Sequence, residues 1–224
     1  MSINEYYEND YSKVLESGAV GKVAAIYHKM LEKGHSKNWP LCLEIGAGNA
    51  QHFKYVKHGF DKYISSDIRP PVRESIKNSD PRHEFKIIDA EDLSSFESES
   101  VDRLIATCVL PHLGDPEKAL REWRRVVKKG GVIDVYVPCE PSLLLGLAQL
   151  MTTKKKVEKL GWNYERLQYR EHRHHYPMLR MLIKEIFEKD IIQQRNFPPG
   201  IKFWQLKLFS VYRISLMKRE KDLI

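Results

Sequence analysis

The feature that most constrains this chain of 224 residues is a short apolar run followed at once by closely spaced glycines. Residues 41–45 follow Pro40 and are typical of a buried strand. Gly46 and Gly48 come next, and glycine allows a sharp turn and the close approach of a ligand to the backbone. We expect a helix to begin near residue 50, where free amides favour a polar or anionic group. The stretch therefore predicts a ligand-binding strand, turn and helix.

Two classes of nucleotide-containing ligand use a turn of this kind. Dinucleotide-binding enzymes have G-x-G-x-x-G, and its last glycine would fall where this chain has Gln51. S-adenosyl-L-methionine (SAM) is bound by a turn similar to E/D-x-G-x-G-x-G, which here consists of Glu44, Gly46, Gly48 and, in the third glycine place, Ala50. That place mainly governs how closely the helix packs on the strand, so alanine is a mild departure. The turn favours SAM, although a turn without a ligand stays open at this point.

The composition fits one globular domain in a reducing compartment. The chain is 42% hydrophobic and 30% charged, and it is long enough to bury a core. Cys42, Cys108 and Cys139 are far apart, so the sequence predicts neither a disulfide framework nor a Cys-x-x-Cys metal site. The polar N-terminus is unlike a signal peptide, and no apolar run is long enough to span a bilayer. We therefore expect a cytoplasmic protein.

Positive charge is concentrated in the last third of the sequence. The formal net charge is +7, but residues 151–224 carry a balance of +9 and the first 150 residues carry −2. A basic region of this kind suits an anionic substrate, a membrane surface or nucleic acid, although it also keeps a protein soluble. The asymmetry leads us to expect an anionic acceptor and weak contact with a membrane surface.

Beyond the glycine turn, strand patterns alternate with helix patterns. Further strands are predicted over residues 62–66, 85–88, 101–107, 132–137, 191–197 and 208–217. Helices are predicted over residues 116–128 and 177–187, with one or two helical turns over residues 72–77. Asp115 is expected to cap the first of these helices and Gly130-Gly131 to end it. This alternation predicts a parallel sheet with right-handed crossovers.

Several motifs in a fixed order resemble those of class I SAM-dependent methyltransferases. The glycine turn is followed by Asp67, by Asp-Ala-Glu-Asp-Leu at residues 89–93 and by Val-Asp-Arg-Leu-Ile at residues 101–105. Residues 109–120 are similar to that family's L-x-H-L-x-D-P-x-x-A-L segment, and residues 124–131 resemble its helix end before strand five. The resemblance covers residues 40–137 and points to the branch that includes quinone-biosynthesis and other small-molecule methyltransferases.

The resemblance implies an α/β fold, a Rossmann-like and mostly parallel sheet of seven strands with helices on both faces and an antiparallel last strand. We interpret residues 1–224 as a single methyltransferase domain. Its predicted parts are an N-terminal helical cap (1–36), a SAM-binding core (37–137), an acceptor-side insertion after strand five (138–176), and a C-terminal helix with the last two strands (177–224).

Ligands of such sheets bind at the carboxyl ends of the strands, which selects candidate SAM contacts. Asp67 is placed to accept hydrogen bonds from the ribose hydroxyls, and Asp89 with the backbone of Ala90 to contact adenine. Cys108 and Val109 are expected beside the reactive sulfonium. The full set of predicted cofactor-binding residues is Glu44, Gly46, Ala47, Gly48, Asn49, Asp67, Asp89, Ala90, Cys108 and Val109.

The implied reaction is a direct displacement that leaves S-adenosyl-L-homocysteine, and an alcohol acceptor also needs a base. His112, which follows strand four, is one candidate base; packing against the cap is its alternative role. His174 and His175 are the other candidates, with a solvated histidine cluster as the alternative. Acceptor binding is predicted for Arg170, Arg173 and Tyr176. No matched spacing such as H-E-x-x-H is present, so no metal is predicted.

Three functional hypotheses follow. The first is an O-methyltransferase that acts on a small hydroxylated, anionic acceptor, such as a sugar or its nucleotide- or lipid-linked form. The second is a nucleic-acid methyltransferase; against it, Cys-Val-Leu-Pro stands at residues 108–111, where an Asn-Pro-Pro-Tyr-type motif would be expected. The third is a non-catalytic binding protein that kept the SAM fold.

Overall fold

The strand before the glycine turn lies in the middle of a seven-stranded sheet with the order β3-β2-β1-β4-β5-β7-β6. The computed structural model describes residues 3–15, 17–71 and 80–217, so the helical turns predicted over residues 72–77 lie outside the described residues. The strands are β1 (Leu41–Ile45), β2 (Lys62–Asp67), β3 (His83–Ile87), β4 (Val101–Thr107), β5 (Val127–Pro138), β6 (Ile191–Phe197) and β7 (Phe209–Ser215). The helices are α1 (Ile3–Asn9), α2 (Tyr11–Leu15), α3 (Gly18–Glu32), α4 (Pro116–Val126), α5 (Leu143–Met151), α6 (Thr153–Lys159), α7 (Tyr164–Glu171) and α8 (Tyr176–Ile186).

From β1 the chain builds the sheet outward on one side through β2 and β3, and then crosses to the other side of β1 with β4, so the strand order reverses at this point. Strand β1 pairs in parallel with β2 on one side and with β4 on the other. Among the described strands, β7 runs antiparallel to both of its neighbours, β5 and β6, whereas the pairs among β1 to β5 are parallel. The predicted Rossmann-like, mostly parallel sheet with an antiparallel last strand is therefore confirmed. A reversal of this kind opens a crevice at the carboxyl ends of the two strands that flank it, which here are β1 and β4.

Apolar side chains cover both faces of the sheet. On one face Trp123 of α4 and Leu179 of α8 are fully buried against the sheet. On the other face Leu31 of α3 packs with Tyr63 and Phe209. Among the described residues, each helix is too short or too polar to cross a bilayer.

The helix predicted to begin near residue 50 is absent. The chain makes turns there and then a short 3-10 helix at Phe53–Tyr55. Ala50 has a left-handed backbone with φ 53°, which an α-helix does not tolerate. His52, two residues later, is fully buried and contacts Glu32, with Nε2 and Oε1 2.9 Å apart. The turn is therefore fixed by a buried contact to α3 instead of by a helix of its own.

The end of α4 also differs from the prediction. Asp115 caps the helix as expected, because its Oδ1 accepts from the Lys118 amide at 2.9 Å. The helix ends at Val126, and Gly130 and Gly131 lie inside β5. A Cβ on Gly131 would lie 2.8 Å from the Asp102 carbonyl oxygen, so the glycine lets two strands approach closely where their register shifts.

A buried network of charged and polar side chains joins α3 to the sheet. Arg103 of β4 is fully buried and donates through Nε to Asp134 of β5 at 2.9 Å. Its Nη1 lies 2.7 Å from Oε1 of Glu32, at the end of α3. Asp134 also accepts from Arg213 of β7 at 2.7 Å. Buried ionic groups need such partners, so the network fixes where α3 sits on the sheet.

Two buried histidines extend this network toward the glycine turn. The Nδ1 atoms of His28 and His52 are 2.9 Å apart, so one ring must accept the proton that the other donates. The ring of His28 also stacks on Tyr55, with centroids 4.7 Å apart. Burial, and then the neighbouring His52, lower the pKa of His28 to about 2. His28 is therefore neutral in the folded protein.

The buried, neutral His28 predicts that mild acid destabilises the fold. Below its ordinary pKa of 6.5, His28 takes up a proton in the unfolded chain but not in the folded one, so stability falls as the pH falls. Between about pH 7.5 and about pH 5, His28 alone should lower the free energy of unfolding by about 2 kcal/mol. Urea unfolding at both pH values measures this loss.

A substitution isolates the contribution of His28. The loss between the two pH values should be about 2 kcal/mol smaller in His28→Gln than in the wild type. His175→Gln, which changes an exposed histidine, serves as the matched control and should keep the wild-type loss. An unchanged loss in His28→Gln would show that His28 is not the group responsible.

Candidate active site

The glycine turn after β1 packs directly against the chain that follows β4. Gly46 has φ 63°, and a Cβ placed on it would lie 2.4 Å from Cγ2 of Val109. The amide of the buried Ala47 donates to the Ser66 carbonyl at 2.8 Å, which ties the turn to β2. Glycine is therefore required at position 46 both by the backbone and by the close approach of Val109.

The other side of the turn is open. A Cβ on Gly48, which has φ 53°, would meet no atom within 4 Å among the described residues. Asp67 lies beside it: Oδ2 accepts from the Gly48 amide at 2.9 Å and Oδ1 from the Arg69 amide at 3.0 Å. Both Asp67 and the next residue of the turn, Asn49, are half-buried. An open cradle with a carboxylate at its edge fits a ribose whose hydroxyls donate hydrogen bonds.

Glu44 lies beneath the turn. It is fully buried, and its Oε2 accepts from the Tyr63 hydroxyl at 3.0 Å and from Ser65 at 3.2 Å. Its Oε1 has no hydrogen-bond partner among the described residues, and burial raises the pKa of this carboxyl group. Glu44 thus holds β1 to β2, and its predicted contact with SAM stays a prediction.

The loop after β3 carries the candidate adenine contacts. Oδ1 of Asp89 accepts from the Glu91 amide at 2.9 Å, and Trp123 donates through Nε1 to the Ala90 carbonyl at 2.9 Å. Glu91 in turn accepts from the Asp115 amide at 3.1 Å, which ties this loop to the loop after β4. Asp89 and Ala90 are therefore held in fixed positions next to the carboxyl edge of the sheet.

A cluster of one cysteine and two histidines lies on the far side of Val109. Cys108 follows β4 with φ 61°, and its Sγ lies 4.0 Å from Nε2 of His112. The ring of His172, just after α7, meets that of His112 edge to face, with centroids 4.8 Å apart. The loop after β4 and the segment after α7 therefore bring these side chains together, and we call Cys108, His112 and His172 the Cys-His-His cluster.

Each histidine of the Cys-His-His cluster faces a carboxylate. Nδ1 of His172 is hydrogen-bonded to Oε2 of Glu140, which follows β5. Nδ1 of His112 has no hydrogen-bond partner in the described part of the chain, but Oε2 of Glu171 lies 3.6 Å away. Burial lowers the pKa of His112 and raises that of the Cys108 thiol. At neutral pH the imidazole of His112 is uncharged and the thiol is protonated.

The N-terminal helices connect the two halves of the site. The Tyr7 hydroxyl of α1 donates to Glu171, and the Tyr7 ring covers the Arg69 guanidinium at 3.8 Å from its centroid. Trp162, between α6 and α7, donates to Asp10 at 2.9 Å. The short helices α1 and α2 therefore pack on the insertion and bridge from the loop after Asp67 to the Cys-His-His cluster.

The other predicted acceptor-side residues do not belong to the Cys-His-His cluster, although the amides of Arg173 and His174 donate to the Pro111 carbonyl, next to His112, at 2.9 and 3.3 Å. Nε2 of His174 lies 3.0 Å from the Leu113 carbonyl oxygen, and His175 is exposed at the N-cap of α8. Arg170 and Arg173 are exposed. Tyr176 is 1% exposed, and its hydroxyl lies 2.9 Å from Ser210 in the core. Of the candidate bases, only His112 joins the cluster; the acceptor roles of the others stay predictions.

Sequence reasoning missed Glu140 and the pairing of His172 with it. Glu140 is a charged residue directly after strand five, the same signal that selected Asp67 after strand two. His172 was visible within the histidine-rich run of residues 171–176, but nothing in that run distinguishes it from His174 and His175. Only the fold shows which of the three faces Cys108.

Sequence comparison with known families agrees with this site. Residues 43–134 match the family model described as "Methyltransferase domain". A PKS-NRPS hybrid synthetase of Chaetomium globosum is 33% identical over 102 residues, a match that covers 41% of this chain and 2% of the synthetase. The chain thus corresponds to only a small part of that protein.

Solved structures show the same fold at low sequence identity. The methyltransferase bound to the Trm112 activator of Haloferax volcanii is 14% identical with a TM-score of 0.65, and the alignment covers 96% of this chain and 97% of that one. The CurJ carbon methyltransferase is 18% identical (TM-score 0.64), with 94% and 59% covered. A phosphoethanolamine N-methyltransferase of Haemonchus contortus in complex with SAM is 14% identical (TM-score 0.61), with 97% and 60% covered.

The family match over residues 43–134 supports the predicted resemblance to class I SAM-dependent methyltransferases, and the solved structures confirm the fold. The neighbour solved in complex with SAM agrees with SAM as the predicted cofactor. The solved relatives methylate carbon in one case and nitrogen in another, so the acceptor atom differs among proteins of this fold. The quinone-biosynthesis branch stays a prediction.

The position of Asp67 predicts its effect on SAM affinity. Asp67→Ala should weaken SAM binding by about 1–3 kcal/mol, because the ribose loses a charged acceptor and the Gly48 amide loses its partner. Isothermal titration calorimetry measures this change. Asp92→Ala is the matched control, since Asp92 is exposed and accepts from the Ser94 amide at 3.0 Å in the same local geometry. Equal SAM affinity in Asp67→Ala and wild type would remove Asp67 from the site.

Proposed function

We propose that this chain, whose residues 43–134 match a methyltransferase domain, is a class I SAM-dependent methyltransferase that transfers a methyl group from SAM to a hydroxyl oxygen of a small, anionic acceptor. One observation carries the proposal. The open glycine turn with Asp67 and the uncharged imidazole of His112 lie on either side of Val109, at the carboxyl edge of one sheet. A cofactor cradle and a candidate base therefore belong to one site.

The glycine turn and its neighbours would hold the cofactor. SAM, when bound, supplies a methyl group made electrophilic by the sulfonium. The open face at Gly48 receives the nucleoside part, and Asp67 accepts hydrogen bonds from the ribose. Val109 presses on Gly46 and fixes how near the chain after β4 comes to the turn. These residues position the cofactor but do not act on the acceptor.

His112 is the residue on which removal of the acceptor's proton depends. Its uncharged ring can accept a proton at Nε2, the nitrogen that faces Cys108. Glu171 lies on the Nδ1 side and is placed to stabilise the ring once it is protonated. A neutral amine has a free lone pair and does not need a base before it attacks, which is why we favour oxygen over nitrogen; an activated carbon acceptor would need a base as an alcohol does.

The cap and the insertion would keep water out of the site. Tyr7 lies between Arg69 and Glu171, so one side chain of α1 spans the cofactor side and the acceptor side. Exclusion of water strengthens the electrostatic contacts within a site. The exposed Arg170 and Arg173 at the end of α7 suit an anionic, oxygen-rich acceptor approaching from solvent.

The kinetics of His112 variants test the proposal. His112→Gln should lower kcat by about 100-fold or more while SAM affinity stays near that of the wild type. In the wild type, kcat should fall at acid pH as His112 becomes protonated, below its ordinary pKa of 6.5 because burial lowers that value. Transfer of label from SAM to a panel of sugars, sugar nucleotides and lipid-linked sugars provides the assay.

The exposed His175 supplies the matched control for these kinetics. His175→Gln should keep kcat within about threefold of the wild type. A large loss in His175→Gln together with full activity in His112→Gln would place the base in the histidine-rich run after α7. Absence of both SAM binding and transfer in the wild type would refute the proposed function.

An exposed apolar face on α5 supports a lipid-linked acceptor at an anionic membrane surface. The exposed residues along this helix, three and four positions apart, are Leu143 (64% exposed), Leu147 (59%), Leu150 (51%) and Met151 (72%). Phe203 is 58% exposed near the 3-10 helix Trp204–Leu206, which packs on α5. The exposed Lys155 and Lys202 are close in sequence to this face. Apolar side chains beside basic ones are typical of interfacial binding.

Vesicle binding tests the membrane contact. The wild type should sediment with vesicles rich in phosphatidylglycerol and less with phosphatidylcholine vesicles. Leu147→Glu should lower binding to the anionic vesicles by about tenfold, because it places a negative charge in the apolar face. Met181→Glu, which makes the same change at an exposed residue of α8, should bind like the wild type. Equal binding by Leu147→Glu and wild type would contradict this role of α5.

A further inference from the structure

We propose that Cys108, His112 and His172 form a zinc site at the acceptor side of the methyltransferase centre. One ligand atom from each of the three residues lies within 4.8 Å of the others. The sequence predicted no metal, because it contains neither a Cys-x-x-Cys pair nor a matched spacing such as H-E-x-x-H. The fold assembles the site from the end of β4, the 3-10 helix Leu110–His112 and the segment after α7.

The distances fit an ion after a small adjustment of side chains. Zinc binds sulfur at about 2.3 Å and imidazole nitrogen at about 2.0–2.1 Å, so a tetrahedral ion holds its ligand atoms roughly 3.5 Å apart. Sγ of Cys108 and Nε2 of His112 are 4.0 Å apart. All three ligand atoms lie within 4.8 Å of one another, so they must approach by roughly 1 Å, a distance within the reach of side-chain rotation.

The carboxylates behind both histidines are the second observation that points to a metal. Histidines that bind zinc almost always give their other ring nitrogen to a carboxylate, a carbonyl oxygen or water, which orients the ring. Here Nδ1 of His172 is bound to Glu140, and Nδ1 of His112 faces Glu171 at 3.6 Å. Glu140 is itself held by Gln149 and Gln168. Nε2 of each ring remains for the ion.

The donor atoms select the class of metal. One thiolate and two imidazoles are soft and borderline ligands that suit zinc, whereas magnesium and calcium prefer oxygen. The cysteine binds as a thiolate, so the Cys108 S–H bond breaks and its proton is released to solvent as the ion enters. Three protein ligands leave a fourth position open, as in catalytic zinc sites.

The open position gives the ion a role in the proposed reaction. This step rests on the proposed function. A zinc ion held there would lower the pKa of an acceptor hydroxyl at the fourth position, and the proton would leave with the water that the acceptor displaces. In the zinc-bound protein Nε2 of His112 is a ligand and is not free to accept a proton, so activation of the hydroxyl passes from His112 to the ion. The loss of kcat expected for His112→Gln is then the loss of a zinc ligand. The acceptor class that fits is one whose hydroxyl oxygen can coordinate zinc.

Cobalt substitution tests the site directly. The purified protein, freed of metal with a chelator, is titrated with Co²⁺ and then Zn²⁺. Binding of one ion per chain, with the absorption of a cobalt–thiolate bond and release of protons, is expected. Cys108→Ser should abolish that absorption, and His172→Ala should weaken zinc by about 100-fold or more. Cys139→Ser changes a buried cysteine of the core, and this variant should keep both the cobalt–thiolate absorption and the zinc affinity of the wild type.

The remaining measurements test zinc binding and methyl transfer independently of each other. Glu140→Gln should weaken zinc by about 10-fold to 100-fold without removing a ligand. Circular dichroism identifies variants that fold, and the conclusion rests on those. The zinc site is overturned if Cys108→Ser and His172→Ala both bind zinc as the wild type does. It is also overturned if the wild type binds no stoichiometric zinc. If the metal-free protein binds SAM and transfers methyl at the full rate, the metal role fails while the proposed function stands.

Discussion

The close packing of Val109 on Gly46 is the contact on which the site depends. It joins the turn after β1 to the chain after β4, across the point where the order of strands reverses. Because Gly46 has a left-handed backbone and no space for a Cβ, both the turn and Val109 have only one compatible arrangement. Cys108 precedes Val109 and His112 follows it by one helical turn. The pairing of β1 with β4 and the close packing of Val109 on Gly46 together set the position of the cofactor cradle relative to the Cys-His-His cluster.

Much of the fold was predictable because its signals are local. Alternating apolar strands and an Asp-Pro helix start identified β4 and α4, and Asp115 caps α4 as predicted. The missing helix near residue 50 was not predictable, because its loss depends on His52 reaching Glu32 of α3. Such a pairing joins residues that no periodicity links.

In the candidate site too, local sequence signals were predictive and contacts set by tertiary packing were not. Asp67 was selected by its position after a strand, and the structure places its carboxylate on the Gly48 amide. His112 and His174 carried equal signals in sequence, yet one faces Cys108 and the other a carbonyl oxygen. The network around Arg103 was missed altogether, since its partners come from α3, β5 and β7. Residue type and spacing predict which edge of a sheet carries chemistry, but side-chain partners depend on tertiary packing.

The N-terminal cap contacts both the cofactor side and the acceptor side of the site through one residue, Tyr7. Tyr7 contacts Arg69, two residues beyond the carboxylate that faces the cofactor cradle, and also Glu171, which faces His112. Movement of α1 would therefore alter the cofactor loop and the environment of the candidate base at the same time. Helices α1 and α2 are short and are held mainly by α6, α7 and their connecting segment, for example through Trp162 and Asp10. Helices this short gain little stability from their own hydrogen bonds, so the position of α1 and α2 depends on these contacts with the insertion.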